Sequence, residues 1–218
     1  MLTLYYAPGA CSLATQIALA ETGTHYTPHR IDFGAGEQNS PEYRKINPHG
    51  RVPALQADGH VITENPAILS YIAERFPEAR LIPESLTGRA FVRQLLSWFS
   101  GTAHTTFAHI FRPERYVGEG GPVDAAKATA RASLEGYFGE IEALFAASEW
   151  ASLDGYSVAD GYPFVFYRWA RKIGFDMRAH EAWTKHVWRM LDRPAVVKAL
   201  DVEGLHRADW ISVEDGAA

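Results

Sequence analysis

Residues 2–14 read Leu2-Thr3-Leu4-Tyr5-Tyr6-Ala7-Pro8-Gly9-Ala10-Cys11-Ser12-Leu13-Ala14, and this stretch sets the reading of the chain. Residues 2–6 are apolar and β-prone, which predicts a strand. Pro8, Gly9 and Ala10 break it. From Ser12 to about Thr22 the residues Leu13, Ile17, Leu19 and Ala20 fall on one helical face, and Gly23 ends the helix as a C-cap. Residues 26–32 predict a second strand, closing a β-α-β unit.

Working outward, residues 34–40 are loop-like and Ser40-Pro41 opens a short helix with proline at its first position. Asn47-Pro48-His49-Gly50 is a turn cluster. Asp58-Gly59 joins residues 54–57 and 60–63 as a β-hairpin with a two-residue primed turn. Glu64-Asn65-Pro66 starts a helix to about Phe76, with Asn65 a good N-cap. The predicted order is β-α-β-α-β-β-α within eighty residues. Beyond a proline-containing linker no strand pattern survives. Helices are expected over 87–116, 122–148, 157–173 and 178–192, with a short one from Pro194 and a loosely ordered tail after about Asp201. Ser157-x-x-Asp160 reads as an acidic capping box. The expected division is therefore an α/β domain over 1–79, a linker over 80–86 and an all-helical domain over 87–218.

The 218 residues carry a formal net charge of −5 and no run of Lys or Arg, which argues against nucleic acid as a partner. The start lacks a signal-peptide pattern, no stretch approaches the ~20 apolar residues of a membrane helix, and one cysteine gives no intrachain disulfide; a cytoplasmic protein is expected. Nine histidines form no metal-ligand pattern, so no metal is expected.

Four places carry possible chemistry. Cys11 sits where a strand turns into a helix, and the positive end of the helix dipole favours its thiolate; an unpaired cysteine is equally at home as a small buried residue. Val52-Pro53 precedes a strand. A cis bond there would leave the Val52 backbone open to a peptide-like ligand, although a lone Val-Pro pair is by default trans. Glu64 and Asn65 mark a helix N-terminus, which suits a carboxylate, with Glu64 placed to accept an amine. His104 could hydrogen-bond a thiolate, or be a core or interface histidine.

The pattern Tyr5-Tyr6-x-Pro8-Gly9-Ala10-Cys11-Ser12-Leu13-Ala14 resembles the start of bacterial beta-class glutathione transferases. So do Asn47-Pro48-x-Gly50-x-Val52-Pro53-Ala54-Leu55 and Thr63-Glu64-x-x-Ala67-Ile68-x-x-Tyr71-Ile72. Gly101-Thr102-Ala103-His104, Phe111-Arg112-Pro113 and Ser157-Val158-Ala159-Asp160 follow in the family's order. The resemblance implies a thioredoxin-like domain with cis-Pro53, a helical domain, and a homodimer that uses glutathione as co-substrate against a hydrophobic electrophile. It implies that Val52 binds the cysteinyl backbone of glutathione, that Glu64 and Asn65 hold its γ-glutamyl end, and that Cys11 and His104 lie beside its sulfur. Ala10, Ser12, Gly36, Pro53 and Gly101 complete the expected site, with Cys11, Ser12 and His104 as its catalytic groups. Aromatic clustering suggests Phe107, Phe111, Tyr116 and Trp169 for the electrophile pocket.

Against the family pattern, Asn65 replaces a small residue and Gly36 a lysine, while Ser97 replaces an asparagine. His49 and Arg51 are placed to restore positive charge. Other activities compatible with these residues are thiol–disulfide exchange through Cys11, glutathione-dependent ether or halide cleavage, and non-catalytic ligand or protein binding.

Overall fold

The computed structural model describes residues 1–152 and 154–211. Strand β1 (Leu2–Tyr6) leads into helix α1 (Ser12–Glu21), then β2 (Tyr26–Arg30), α2 (Pro41–Ile46), β3 (Ala54–Ala57), β4 (His60–Thr63) and α3 (Asn65–Arg75). This is the expected order. The sheet runs β2-β1-β3-β4, with β1 parallel to β2 and the other neighbours antiparallel, so Leu4 lies opposite Leu55 and Leu55 opposite Ile62. β2 carries Pro28 and stands at the sheet edge, where a missing N–H is tolerated. At the hairpin tip Asp58 and Gly59 both have positive φ, 50° and 83°, as a primed turn requires.

The second part is helical: α4 (Leu86–Trp98), α5 (His104–Phe111), α6 (Glu114–Val117), α7 (Val123–Ala147), α8 (Gly161–Lys172), α9 (Glu181–Leu191) and α10 (Pro194–Glu203). The helix expected over 87–116 is thus three helices. A π-helical segment, Phe99–Ala103, separates α4 from α5. A wider turn of this kind holds an extra residue and rotates everything after it by about 100°. Pro113, which cannot continue a helix and pushes Arg112 out of helical geometry (φ −142°, ψ 53°), ends α5. Asn65 is not the cap of α3; it is the first helical residue, and Glu64 precedes it at φ 65°.

α1 is buried from Ser12 to Ala20 because it lies between the sheet and α3 on one side and α8 and α10 on the other. α8 can approach because Gly161 meets Ala14; a Cβ there would stand 2.8 Å from the Ala14 Cβ. The segment after Asp201 is also packed, contrary to expectation. α10 continues to Glu203, and Trp210 is fully buried, stacked on Phe164 at 4.5 Å with its Nε1 donating to the Phe164 carbonyl at 2.7 Å. The part of that tail beyond 211 lies outside the described residues.

Ser157 and Asp160 do form the capping box, at a 3-10 turn that runs into α8. Asp160 is fully buried; its Oδ2 accepts from the Ser157 N–H at 2.9 Å, and its Oδ1 accepts from the Ala151 N–H at 2.8 Å and lies 3.0 Å from His186 Nε2. Removing this carboxylate orphans several buried donors at once. Asp160→Ala is expected to lose about 3 kcal/mol or more in urea unfolding, while Asp160→Asn, which keeps acceptor capacity, loses less.

Candidate functional site

One cleft of about 500 Å³ lies where the sheet part meets the helical part. The loop after β1 forms its floor: Pro8, Gly9, Ala10 and Cys11 all line it. Gly9 has φ 68°, and a Cβ there would meet the Arg168 guanidinium at 2.3 Å, so only glycine fits. Its N–H donates to Glu203 Oε2 at 2.7 Å, and its carbonyl accepts from Trp169 Nε1 at 2.9 Å. The helical part therefore holds the loop by both polar groups of one residue.

On the opposite wall the Val52–Pro53 bond is cis. Its approach is fixed by the Asn47–Gly50 turn: Tyr43 Oη and Asn47 Nδ2 both donate to the Arg51 carbonyl at 2.7 Å. Val52 lines the cleft, and among the described residues its N–H has no hydrogen-bond partner. Glu64 lines it too, with a positive φ that a side chain rarely adopts and that persists only where the surroundings hold it. From α5 and α8 come His104, Phe111 and Trp169, and Tyr116 closes the rim from α6.

A family model described as "Glutathione S-transferase, N-terminal domain" matches residues 1–74. Glutathione S-transferase GstA of Escherichia coli O157:H7 is 33% identical over 205 residues, covering 93% of this chain and 98% of the relative. Glutathione S-transferase GST-4.5 of Xanthomonas campestris pathovar campestris is 33% identical over 204 residues, with 93% and 99% covered. The chain belongs to the glutathione S-transferase family. Among solved structures, a bacterial beta-class glutathione S-transferase of Sphingomonas chungbukensis shares 36% identity at a TM-score of 0.83, over 94% of this chain and all of that one. A glutathione transferase homologue from Sulfitobacter with bound glutathione gives 32% and 0.88, over 94% and 99%.

Against that family background the individual side chains behave unevenly. Cys11 is 7% exposed, and its thiol donates to the Val52 carbonyl at 3.4 Å. Burial pushes its pKa up to about 12, outweighing the nearby Cys11 and Ser12 N–H groups that lower it. The expected thiolate at this helix start is therefore not formed near neutrality; desolvation wins over the dipole. Ser12, expected among the catalytic groups, is fully buried and staples its own loop, with Oγ bonded to both the N–H and the carbonyl of Ala7 at 3.2 Å. Asn65 lines the cleft, but its side-chain amide is turned inward. It donates to the Cys11 carbonyl at 2.9 Å and accepts from Thr15 Oγ1, tying α1 to α3. What it can offer a ligand is its backbone at the start of α3.

His104 lines the cleft. Burial, helped by the charge of Arg51, brings its pKa down to about 4, so it is a neutral imidazole near pH 7. Ala10 and Pro53 line the cleft as expected; Gly36 and Gly101 do not. Phe107 does not either: it is fully buried between Phe138, Phe166 and Trp169, beneath the wall that Phe111, Tyr116 and Trp169 present. Sequence reasoning missed Arg112, Arg115, Arg168, Lys172 and Tyr162 on the lining, and Glu203 behind it. Arg112 stands in the Phe111-Arg112-Pro113 motif already singled out; nothing local marks the others.

Glu203, 6% exposed, has its carboxyl raised by burial to about 8 from an ordinary 4.5. The folded chain thus holds this proton across a range in which the unfolded chain has released it. The stability so contributed is complete below about pH 4 and is lost as pH rises toward 8. Glu203→Gln, which still accepts from Gly9 and never ionises, is expected to become more stable relative to the parent between pH 5 and 8, by on the order of 2 kcal/mol. Urea unfolding of both proteins at several pH values checks it; parallel curves would contradict it.

Proposed function

We propose that the chain is a glutathione transferase that binds glutathione along the Val52 edge and directs its thiol at an electrophile held against the helical wall. The observation that carries this reading is the convergence in one cleft of an unpartnered backbone N–H at Val52, a helix N-terminus at Asn65 with Glu64 beside it, and an aromatic wall facing them. Glutathione is a small peptide with a free amine and two carboxylates. Its cysteinyl backbone pairs with Val52 as an added strand. Its γ-glutamyl carboxylate lies at the start of α3 and its amine at Glu64. Arg51 takes the glycyl carboxylate in place of the lysine that Gly36 replaces.

The reaction is nucleophilic attack by the glutathione thiolate. A free thiol of this type has a pKa of about 8.5 and is mostly protonated near neutrality. The N–H groups of Cys11 and Ser12 at the start of α1 stabilise the developing anion, and neutral His104 donates a hydrogen bond to the sulfur. Cys11 contributes as a packed neighbour and not as the nucleophile, because its own thiol stays protonated. That same protonation disfavours disulfide exchange as the main activity. We assign the glutathione site to an α/β domain over 1–79, with His104 reaching its sulfur from the helical domain over 87–218, which holds the electrophile.

No helix among the described residues is long and apolar enough to cross a membrane. We read the protein as a cytoplasmic homodimer, as the family resemblance implies, testable by light scattering on the eluting species. For the site itself, calorimetric titration with reduced glutathione is expected to show saturable binding, weakened roughly tenfold in Glu64→Gln, the worth of one charge-assisted hydrogen bond. Cys11→Ser is expected to retain part of the conjugation of an aryl halide. Absent glutathione binding in the parent would overturn the reading, and complete loss of conjugation in Cys11→Ser would overturn the role given to Cys11.

A further inference from the structure

The cleft is more cationic than glutathione requires. Five basic side chains line it (Arg51, Arg112, Arg115, Arg168 and Lys172) against a single carboxylate, Glu64, in a chain whose net charge is −5. Two of the five are accounted for. Arg51 stands on the Val52 side, and Arg168 is engaged with the Gly9 carbonyl and the Trp210 ring. The other three, Arg112, Arg115 and Lys172, are on the helical wall. Among the described residues their charged groups make no ion pair or side-chain hydrogen bond. Glu114, between the two arginines in sequence, is not on the lining.

Bound glutathione does not neutralise this group. As a thiolate it carries a net charge of about −2, with its carboxylates at the opposite wall and its amine at Glu64. Arg112 and Arg115 carry like charges on the same lining, and among the described residues no carboxylate pairs with either. Beside them Phe111 and Tyr116 are 38% and 43% exposed, unusual for large aromatics. Phe111 meets Trp169 edge-on at 5.6 Å, and Tyr116 is stacked on His109 at 3.6 Å, so both rings are held in place where they line the cleft. A wall of fixed aromatic surface with unpaired cations at its rim suits a molecule that is flat and apolar at one end and anionic at the other.

We propose that the electrophilic substrate of this chain carries a carboxylate, which Arg112, Arg115 and Lys172 receive while its aromatic or unsaturated body lies on Phe111, Tyr116 and Trp169. This rests on the transferase reading and narrows it from hydrophobic electrophiles in general to acidic ones. The same cations draw the anion in from solution and hold it away from the sulfur, at the far end of the reacting molecule.

The test compares 4-chloro-3,5-dinitrobenzoate with its neutral amide, 4-chloro-3,5-dinitrobenzamide. In both, the glutathione sulfur bonds to the ring carbon bearing chlorine, chloride leaves with the bonding pair, and the thiol proton passes to solvent. Each kcat/KM is divided by the uncatalysed rate constant with glutathione, which removes the difference in ring reactivity. The parent protein is expected to favour the carboxylate by roughly tenfold at low salt, with the preference falling toward one at about 0.5 M salt, where screening acts within a few ångströms. In the combined variant R112Q/R115Q/K172Q the ratio is expected to fall toward one even at low salt. Turnover of the amide by the parent with no carboxylate preference would overturn the acidic-substrate proposal and leave the transferase reading standing. A preference that survives both salt and the triple variant would overturn it as well. Turnover of neither compound would overturn both.

Discussion

The peptide at Gly9 is gripped on both polar groups by the helical half of the molecule, its N–H by Glu203 and its carbonyl by Trp169. The geometry of the cleft depends on this grip. Ser12 Oγ and Asn65 Nδ2 hold the two ends of the loop from within the sheet part, at Ala7 and at the Cys11 carbonyl, and the Gly9 peptide between them is tied to the helical half. Because Glu203 ends α10 and Trp169 lies in α8, the two Gly9 bonds form only when both helices are docked against α1. The floor of the cleft is thereby shared between the two parts of the chain.

Around the place where a sulfur would sit, burial removes charge. Cys11 is held as a thiol, His104 as a neutral imidazole and Glu203 well above the ordinary carboxyl range, in each case with desolvation as the largest cause. Full charges line the same cleft, Glu64 and Arg51 near these groups and Arg112, Arg115 and Lys172 on the helical side. On the proposed reading, a thiolate formed beside Cys11 meets the oriented N–H dipoles at the start of α1. The rim charges then select and orient the two substrates by their own ionic ends.

The sheet part was legible almost residue by residue. β1, α1, the hairpin and α3 are each set by local punctuation: Pro8-Gly9, Gly23, Asp58-Gly59 and Pro66. The helical part was legible in outline more than in detail, since the helix expected over 87–116 is three helices. No single residue of Phe99–Ala103 announces a π turn, and the alternation of apolar positions passes through it unbroken to the eye. The segment after Asp201 reads as loose because its anchors lie far off in the chain: Trp210 gains its burial from Phe164, nearly fifty positions earlier, and Glu203 bonds Gly9.

The order of the elements and the family follow from local turn chemistry and from motifs whose spacing is fixed along the chain, and both can be read from the residues alone. The state and direction of each side chain come from packing. Cys11 is a thiol because α1 is covered on every side. Asn65 turns inward because Thr15 and the Cys11 carbonyl lie within reach. Arg112, Arg115 and Lys172 share a cleft because α5, α6 and α8 pack beside it. Burial and through-space contact set protonation and direction, and both arise from residues far apart in the chain, which no local pattern records.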